Sequence, residues 1–473
     1  MTDALDRFSP ATRAWFAGAF ASATAAQLGA WEAIARGDHT LVVAPTGSGK
    51  TLAAFLQSLD RLAATPPPDD PGRRCRVLYV SPLKALAVDV ERNLRSPLAG
   101  IRQAAVRLGQ PPPEIQVGLR SGDTPAEERR LLARRPPDIL ITTPESLFLM
   151  LTSAARESLR GVETVIVDEV HAVCSTKRGA HLALSLERLD ALLERPAQRV
   201  GLSATVRPTD EVARFLAGGR EVAVVQPPLQ KTVELQVVVP VEDMSQLGEP
   251  TGEVHGSAAG AQQRTSIWPA VEERVLDLVE AHRSTIVFAN SRRLAERLTA
   301  RLNELAYERR YGETAQDLSR YEDPASGPAG STADGPVDRP AGRSRSAPGG
   351  MPAELMAQAG RAEGAPVVVA RAHHGSVSRE QRALVEEELK SGRLPAVVAT
   401  SSLELGIDMG AVDLVVQVEA PPSVAAGLQR IGRAGHQVGA VSRGVLFPKY
   451  RGDLVESAVV AERMQAGLIE SMR

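Results

Sequence analysis

Two cysteines, Cys75 and Cys174, are all that this 473-residue chain contains. They cannot build a disulfide framework, which excludes a small cross-linked secreted fold. Each is expected to serve as a small buried apolar residue in a reduced setting. No Cys/His spacing suited to a structural metal occurs. Neither sign of charge dominates: 55 Lys and Arg stand against 57 Asp and Glu, a net of −2. No global basic field advertises a polyanion, although a groove can be locally positive on a neutral protein. No apolar run is long enough to span a bilayer. The N-terminus has no basic stretch leading into an apolar one, so no secretory signal is expected and the cytoplasm is the expected location.

What the chain does contain is an alternation of short apolar, β-branched runs with amphipathic stretches. One series lies at 40–44, 77–81, 139–143, 164–168 and 199–202. A second lies at 284–289, 367–372, 396–400, 414–418 and 444–447. Continuous apolar strands between helices imply parallel sheets covered on both faces. Two series suggest two α/β domains, and the length alone excludes a single core. Val225-Gln226-Pro227-Pro228 breaks the pattern and marks the expected join, with domains at 1–226 and 227–455. Two polar, Gly/Ala/Pro-rich stretches, 242–266 and 322–364, have little to bury and are expected to be inserts without regular structure.

The most informative run is Ala44-Pro45-Thr46-Gly47-Ser48-Gly49-Lys50-Thr51. A strand leads in and a helix leads out, the context a phosphate-binding loop requires. Its glycines let backbone N–H groups turn inward, and the helix start adds its own. Lys50 is expected against the β/γ-phosphates and the Thr51 hydroxyl on Mg²⁺. Thr46, Gly47, Ser48 and Gly49 complete the cradle. The usual first glycine is Ala44, so that position must hold a conformation open to a Cβ.

Thr164-Val-Ile-Val-Asp168-Glu169-Val170-His171 is an apolar strand ending in two carboxylates and a histidine. Carboxylates at the C-terminal end of a parallel strand lie beside such a loop. Asp168 is expected to hold Mg²⁺ and Glu169 to activate the attacking water. Ser203-Ala204-Thr205 follows the next strand and can relay between sites through its hydroxyls. Far downstream, Gln429-Arg430-Ile431-Gly432-Arg433 places two arginines three apart, which on a helix share a face and suit a γ-phosphate. Thr400 follows a strand, where a hydroxyl can meet a phosphate. Gly406 and Asp408 come after it, and Asp408 can accept from a ribose hydroxyl or from an arginine.

In this order the segments resemble the motifs of superfamily 2 helicases, the DEAD/DEAH-type ATPases, with Asp168-Glu-Val-His171 in the DExH form. Ser81-Pro-Leu-Lys-Ala-Leu86, Thr142-Thr-Pro-Glu-Ser-Leu147 and Val287-Phe-Ala-Asn-Ser-Arg292 resemble motifs Ia, Ib and IV. Gln27 matches the glutamine that reads adenine, with Phe8, Trp15 or Phe16 as the stacking aromatic. The wording is most similar to the large helicase-related (Lhr) family, notably His373-His-Gly-Ser-Val-Ser-Arg-Glu-Gln-Arg382 and Gly432-Arg-Ala-Gly-His436.

The resemblance implies two tandem RecA-like domains with ATP and Mg²⁺ between them. It implies backbone contacts to nucleic acid from Ser81, Pro82, Gly122, Thr142, Thr143, Asn290 and Thr400, and coupling through His171, Ser203, Thr205 and Gln429. The implied activity is ATP-driven 3′-to-5′ movement of a monomer on single-stranded DNA, with unwinding of DNA or RNA:DNA duplexes bearing a single-stranded tail, in DNA repair. It further implies that 456–473 begin a region that family members continue into a winged-helix domain. Two alternatives stay open: an ATPase that translocates without separating strands, and a nucleotide-gated module that binds a protein partner. The helix pattern at Arg379–Lys390 reads as a solvated charged face. His373 and His374 on extended chain point to opposite faces and cannot share a metal.

Overall fold

The apolar runs become strands of two sheets in the computed structural model, which describes residues 5–45, 47–204, 206–228, 232–247, 266–312, 368–404, 412–435 and 440–471. The first sheet contains β1 (His39–Val43), β2 (Val77–Val80), β3 (Val117–Arg120), β4 (Ile139–Thr142), β5 (Thr164–Val167), β6 (Gln198–Ser203) and β7 (Val222–Val225). Their order is β3-β4-β2-β5-β6-β1-β7, and every pairing is parallel. The second contains β8 (Val233–Val237), β9 (Thr285–Phe288), β10 (Ala370–His373), β11 (Ala396–Ala399), β12 (Leu414–Val418) and β13 (Ser442–Phe447). Their order is β10-β11-β9-β12-β13-β8, again parallel throughout.

Central strands such as β2, β4, β5, β9 and β11 are buried at every position, so both faces demand Val, Ile and Leu. Two apolar clusters flank each sheet. In the first sheet β6 lies between β5 and β1. The C-terminal ends of three adjacent strands therefore present the two carboxylates, Ser203 and the Gly-Lys-Thr loop side by side.

Side-chain caps fix where several helices begin. Thr24 and Gln27 form a reciprocal capping box on Ala25–Ala35. Ser291, Ser378 and Ser423 cap Arg292–Tyr311, Arg379–Lys390 and Val424–Ile431. The helix Arg451–Gln465 runs through position 456, where a further region was expected to begin, and it packs against β8 and Val424–Ile431. Of the insert readings at 242–266 and 322–364, residues 248–265 and all of 322–364 lie outside the described residues. The described start of the first insert does carry a short helical turn, Met244–Gln246, with Met244 in the second domain's core.

Gly179, in the first turn of Lys177–Leu192, holds that helix against the loop after the carboxylates. A Cβ there would stand 2.1 Å from the Val173 carbonyl oxygen. Gly179→Ala is expected to destabilise the fold by about 1–3 kcal/mol, read as a lower denaturant midpoint with an unchanged m-value.

Candidate nucleotide and nucleic-acid sites

The Gly-Lys-Thr loop leaves β1 without strain at its first position. The Ala44 N–H still bonds to the Ser203 carbonyl at 3.1 Å, continuing the sheet ladder, so a Cβ is tolerated. The left-handed turns come later, at Gly47 (φ 84°) and Gly49 (φ 77°). Gly49 precedes the helix Lys50–Ala64 without a side-chain cap, so the first-turn N–H groups stay available to an anion. Lys50 Nζ donates to the Ala44 carbonyl at 2.5 Å, spanning the loop. Burial pushes its pKa down, against the opposing pull of Glu169 and Asp168. Thr46 lies outside the described residues.

Gln27 reaches the loop, but as a support. It is 4% exposed. Its Oε1 accepts from the Thr24 N–H at 2.9 Å, and the Thr24 hydroxyl donates to the Ser48 carbonyl at 2.9 Å. A Cβ on Gly49 would stand 2.6 Å from Gln27 Nε2. The three candidate stacking aromatics are not available to a base. Phe8, Trp15 and Phe16 are buried in the first core with Trp31, because the helix Pro10–Ala19 turns its apolar face onto the sheet-covering helices. Phe20, just beyond that helix, is the exposed ring of this group.

Asp168 and Glu169 are both buried. Asp168 Oδ1 accepts from the Glu169 N–H at 2.8 Å, and the Tyr79 hydroxyl donates to Oδ2. Burial, then the adjacent Glu169 charge, pushes the Asp168 carboxyl up to about 6. Burial and the same carboxylates hold the Tyr79 phenol well above its ordinary value. Tyr79 was not among the expected residues. The signal was a lone hydroxyl inside Val77-Leu78-Tyr79-Val80, since a buried Tyr O–H needs a partner. Glu169 has φ 44°, a left-handed backbone that a non-glycine residue holds only under constraint. The turn brings its Oε2 to 3.4 Å from His171 Nδ1. Two adjacent buried carboxylates, one with its pKa driven up, suit a divalent cation. Asp168, with Thr51 at the end of the phosphate loop, is the fitting donor set, and the ion would neutralise phosphate charge there.

His171, Ser203 and Gln429 come together as expected, and they join the two domains. The Ala204 N–H donates to His171 Nδ1 at 3.2 Å, with Ser203 Oγ 3.1 Å from the same nitrogen. Across the junction, His171 Nε2 lies 2.8 Å from the Gln429 carboxamide nitrogen Nε2. Burial, then the Lys50 charge, pushes the His171 pKa down to about 4, so the ring is neutral.

The arginine pair divides. Arg433 is 2% exposed and close enough to Lys50 for its charge to depress that ammonium's pKa. Its guanidinium donates to the Glu404 carbonyl at 3.1 Å. Arg430 instead turns into the second domain. It bonds the Glu404 carboxylate at 3.1 Å, Gln417 Oε1 at 3.0 Å and Asn290 Oδ1 at 2.9 Å, over the Phe288 ring. The shared-face expectation fails because the helix ends at Ile431. Arg433 lies beyond that end and is aimed by the turn. Thr205, Gly406 and Asp408 lie outside the described residues.

A cavity of about 1020 Å³ opens between the domains beside the His171–Gln429 bridge. Asn290 and Thr400 line it, as do Ser121 and Asp123 on either side of Gly122. Ser81, Thr142 and Thr143 do not offer their hydroxyls to it. All three are buried. Their hydroxyl groups bond locally to the Leu83 carbonyl, the Arg120 carbonyl and Ser146, as Ser and Thr at strand ends commonly do. The Pro82 carbonyl likewise takes Arg178.

The lining cations were missed: Lys84, Arg92, Arg292, Arg382 and Lys390. They share the wall with five lining carboxylates, Asp89, Asp123, Glu128, Glu386 and Glu404, so the lining among the described residues is charge-balanced. The signal was a four-residue rhythm: Lys84, Val88, Arg92 on one helix and Arg382, Glu386, Lys390 on Arg379–Lys390. That second helix is therefore a cavity wall rather than a solvated face, because Val385 and Leu389, on the stripe beside Arg382, Glu386 and Lys390, anchor it in the core.

Comparison with known proteins agrees with this geometry. The DEAD/DEAH box helicase family matches residues 24–213, and the helicase conserved C-terminal domain matches 355–437. The chain is 63% identical to the Lhr helicase/probable uracil glycosylase of Mycolicibacterium smegmatis over 100% of its own length and 28% of that protein's. It is 55% identical to the Lhr helicase/uracil glycosylase of Escherichia coli K12, over 99% of its own length and 29% of the other. The structure of Mycobacterium smegmatis helicase Lhr bound to ssDNA and AMP-PNP superposes with a TM-score of 0.79, at 60% identity, covering all of this chain and 52% of that one. Two parallel α/β domains with the nucleotide loop at their junction define a superfamily 2 helicase motor. Within that class the chain belongs to the Lhr family, and it spans less than a third of the length of the two curated bacterial relatives named above.

Proposed function

We propose that this chain is an ATP-driven motor that moves 3′ to 5′ along single-stranded DNA and unwinds DNA or RNA:DNA duplexes in DNA repair. One observation carries the motor reading. Gln429 of the second domain bonds His171 of the first at 2.8 Å across the junction, and Arg433, four residues later, adds a charge that lowers the pKa of the first domain's Lys50. In this reading Lys50 and the loop N–H groups hold the triphosphate, and Glu169 takes a proton from the attacking water. Arg433 meets charge developing on the γ-phosphate. Asp168 and Thr51 would hold Mg²⁺, which would supply positive charge to shield the phosphates. Arg433 and the triphosphate meet only when the domains are closed, so ATP favours closure and hydrolysis releases it. The adjoining cavity accommodates a strand by its backbone, without reading sequence. Polarity, the DNA substrate and the repair role rest on the family resemblance.

The test is ATPase rate with single-stranded DNA, RNA or no nucleic acid, and then strand displacement on a tailed duplex. Stimulation by DNA with displacement supports the whole reading. Stimulation without displacement reduces it to a translocating ATPase. No stimulation at low salt rejects it in favour of a nucleotide-gated partner module.

A further inference from the structure

His373 closes β10 and His374 follows it, both are buried, and neither has a part in the reading above. They face opposite ways. His374 Nε2 meets Glu296 at 2.5 Å, tying the strand end to the helix Arg292–Tyr311. His373 Nε2 lies 3.0 Å from Glu386 Oε1, and its Nδ1 lies 2.8 Å from Ser402 Oγ.

A carboxylate only accepts, so Glu386 fixes the proton on Nε2. In the neutral ring Nδ1 then accepts the Ser402 hydroxyl proton. In the charged ring Nδ1 donates to Ser402 Oγ, and the hydroxyl turns to the His373 carbonyl, also 2.8 Å away. Ser402 is held in either state. The Thr400 N–H bonds the same carbonyl at 3.3 Å. Two residues past Ser402, the Glu404 carbonyl accepts from Arg433 and the Glu404 carboxylate pairs with Arg430. Glu386 itself stands on the cavity wall.

We propose that Glu386, His373 and Ser402 are positioning residues that register the helix Arg379–Lys390 against the 400–404 segment, and so set Arg433 at the nucleotide when a strand occupies the cavity. This deepens the motor reading and rests on it. The helix and the segment also share a core through Val385, Leu389 and Leu403, but these contacts are the polar, directional link between them, so cutting the His373–Ser402 bond weakens the coupling of the strand to hydrolysis without removing either binding site.

The experiment measures ATPase of the whole chain against an oligo-dT titration, with oligonucleotide Kd by anisotropy and Tm as the folding check. Ser402→Ala and His373→Gln are each expected to lower the DNA-stimulated kcat by about tenfold, with ATP KM and oligonucleotide Kd maintained. The double variant falls no further, because both changes cut one link. Ser402→Thr, which keeps the hydroxyl, restores most of the rate. Unchanged kcat, additive losses, a parallel weakening of Kd, or a failed Ser402→Thr rescue in folded protein each overturns the relay. A wild-type chain that oligo-dT does not stimulate rejects the motor reading itself, which separates the two failures.

Discussion

Glu169→Gln is expected to bind ATP with near wild-type affinity and to hydrolyse it about 10²–10⁴-fold more slowly. The substitution preserves shape and leaves the backbone N–H that supports Asp168 Oδ1 in place. It removes only the group able to accept a proton from water. The backbone supports the assignment independently. Glu169 holds a left-handed φ at the end of a buried parallel strand, and such strain persists where the surroundings impose it. Its neighbours divide the labour. Asp168 is already engaged by Tyr79 and by the Glu169 N–H, whereas the Glu169 carboxylate lies 3.4 Å from the neutral His171 ring. Coupled-assay kcat and nucleotide titration read the two quantities separately. A near-normal rate would remove Glu169 from the general-base role.

Much of this site was legible because it rests on strand ends. A parallel strand buried on both faces declares itself as a continuous apolar run, and the residues next in sequence fall at the sheet's ligand-bearing edge. Asp168, Ser203 and the Lys50 loop can therefore be placed together from sequence alone. The edge strands β3, β7 and β8 gave no such signal, although the edge strand β10 did. β7 and β8 are only partly buried, with β8 alternating along its length, and they flank the Pro227-Pro228 break that marks a boundary instead.

Side-chain direction was less legible than position. Ser81, Thr142 and Thr143 sit at strand ends as expected, yet their hydroxyls close onto nearby backbone or Ser146. The charge of Arg379–Lys390 looked solvated because sequence does not show what a helix's polar face meets across a domain junction. Phe8, Trp15 and Phe16 could not be ranked as stacking candidates from sequence, because all three belong to one apolar helix face or its approach.

The arginines show the same limit and yield the second large effect. Arg433→Ala is expected to lower kcat by about 10³-fold or more while ATP Kd changes little. The Arg433 charge acts on Lys50 of the nucleotide loop from the other domain, and in the motor reading it meets the γ-phosphate fully only in the closed state, so it acts on rate before affinity. Arg430→Ala separates this role from scaffold. Arg430 is enclosed by Glu404, Gln417 and Asn290, and burial already raises the Glu404 pKa against the pull of that guanidinium. Removing Arg430 leaves the mostly buried Glu404 carboxylate without its ion-pair partner and also opens the bonds to Gln417 and Asn290, a cost of about 2–4 kcal/mol, below that of a fully buried pair, so its loss should appear first as a lower Tm. Rate loss at preserved Tm for Arg433→Ala, with reduced Tm for Arg430→Ala, is the result this geometry requires. Equal losses of ATP affinity and rate for Arg433→Ala would instead make it a ground-state ligand and remove the differential contact by which nucleotide state drives the two domains.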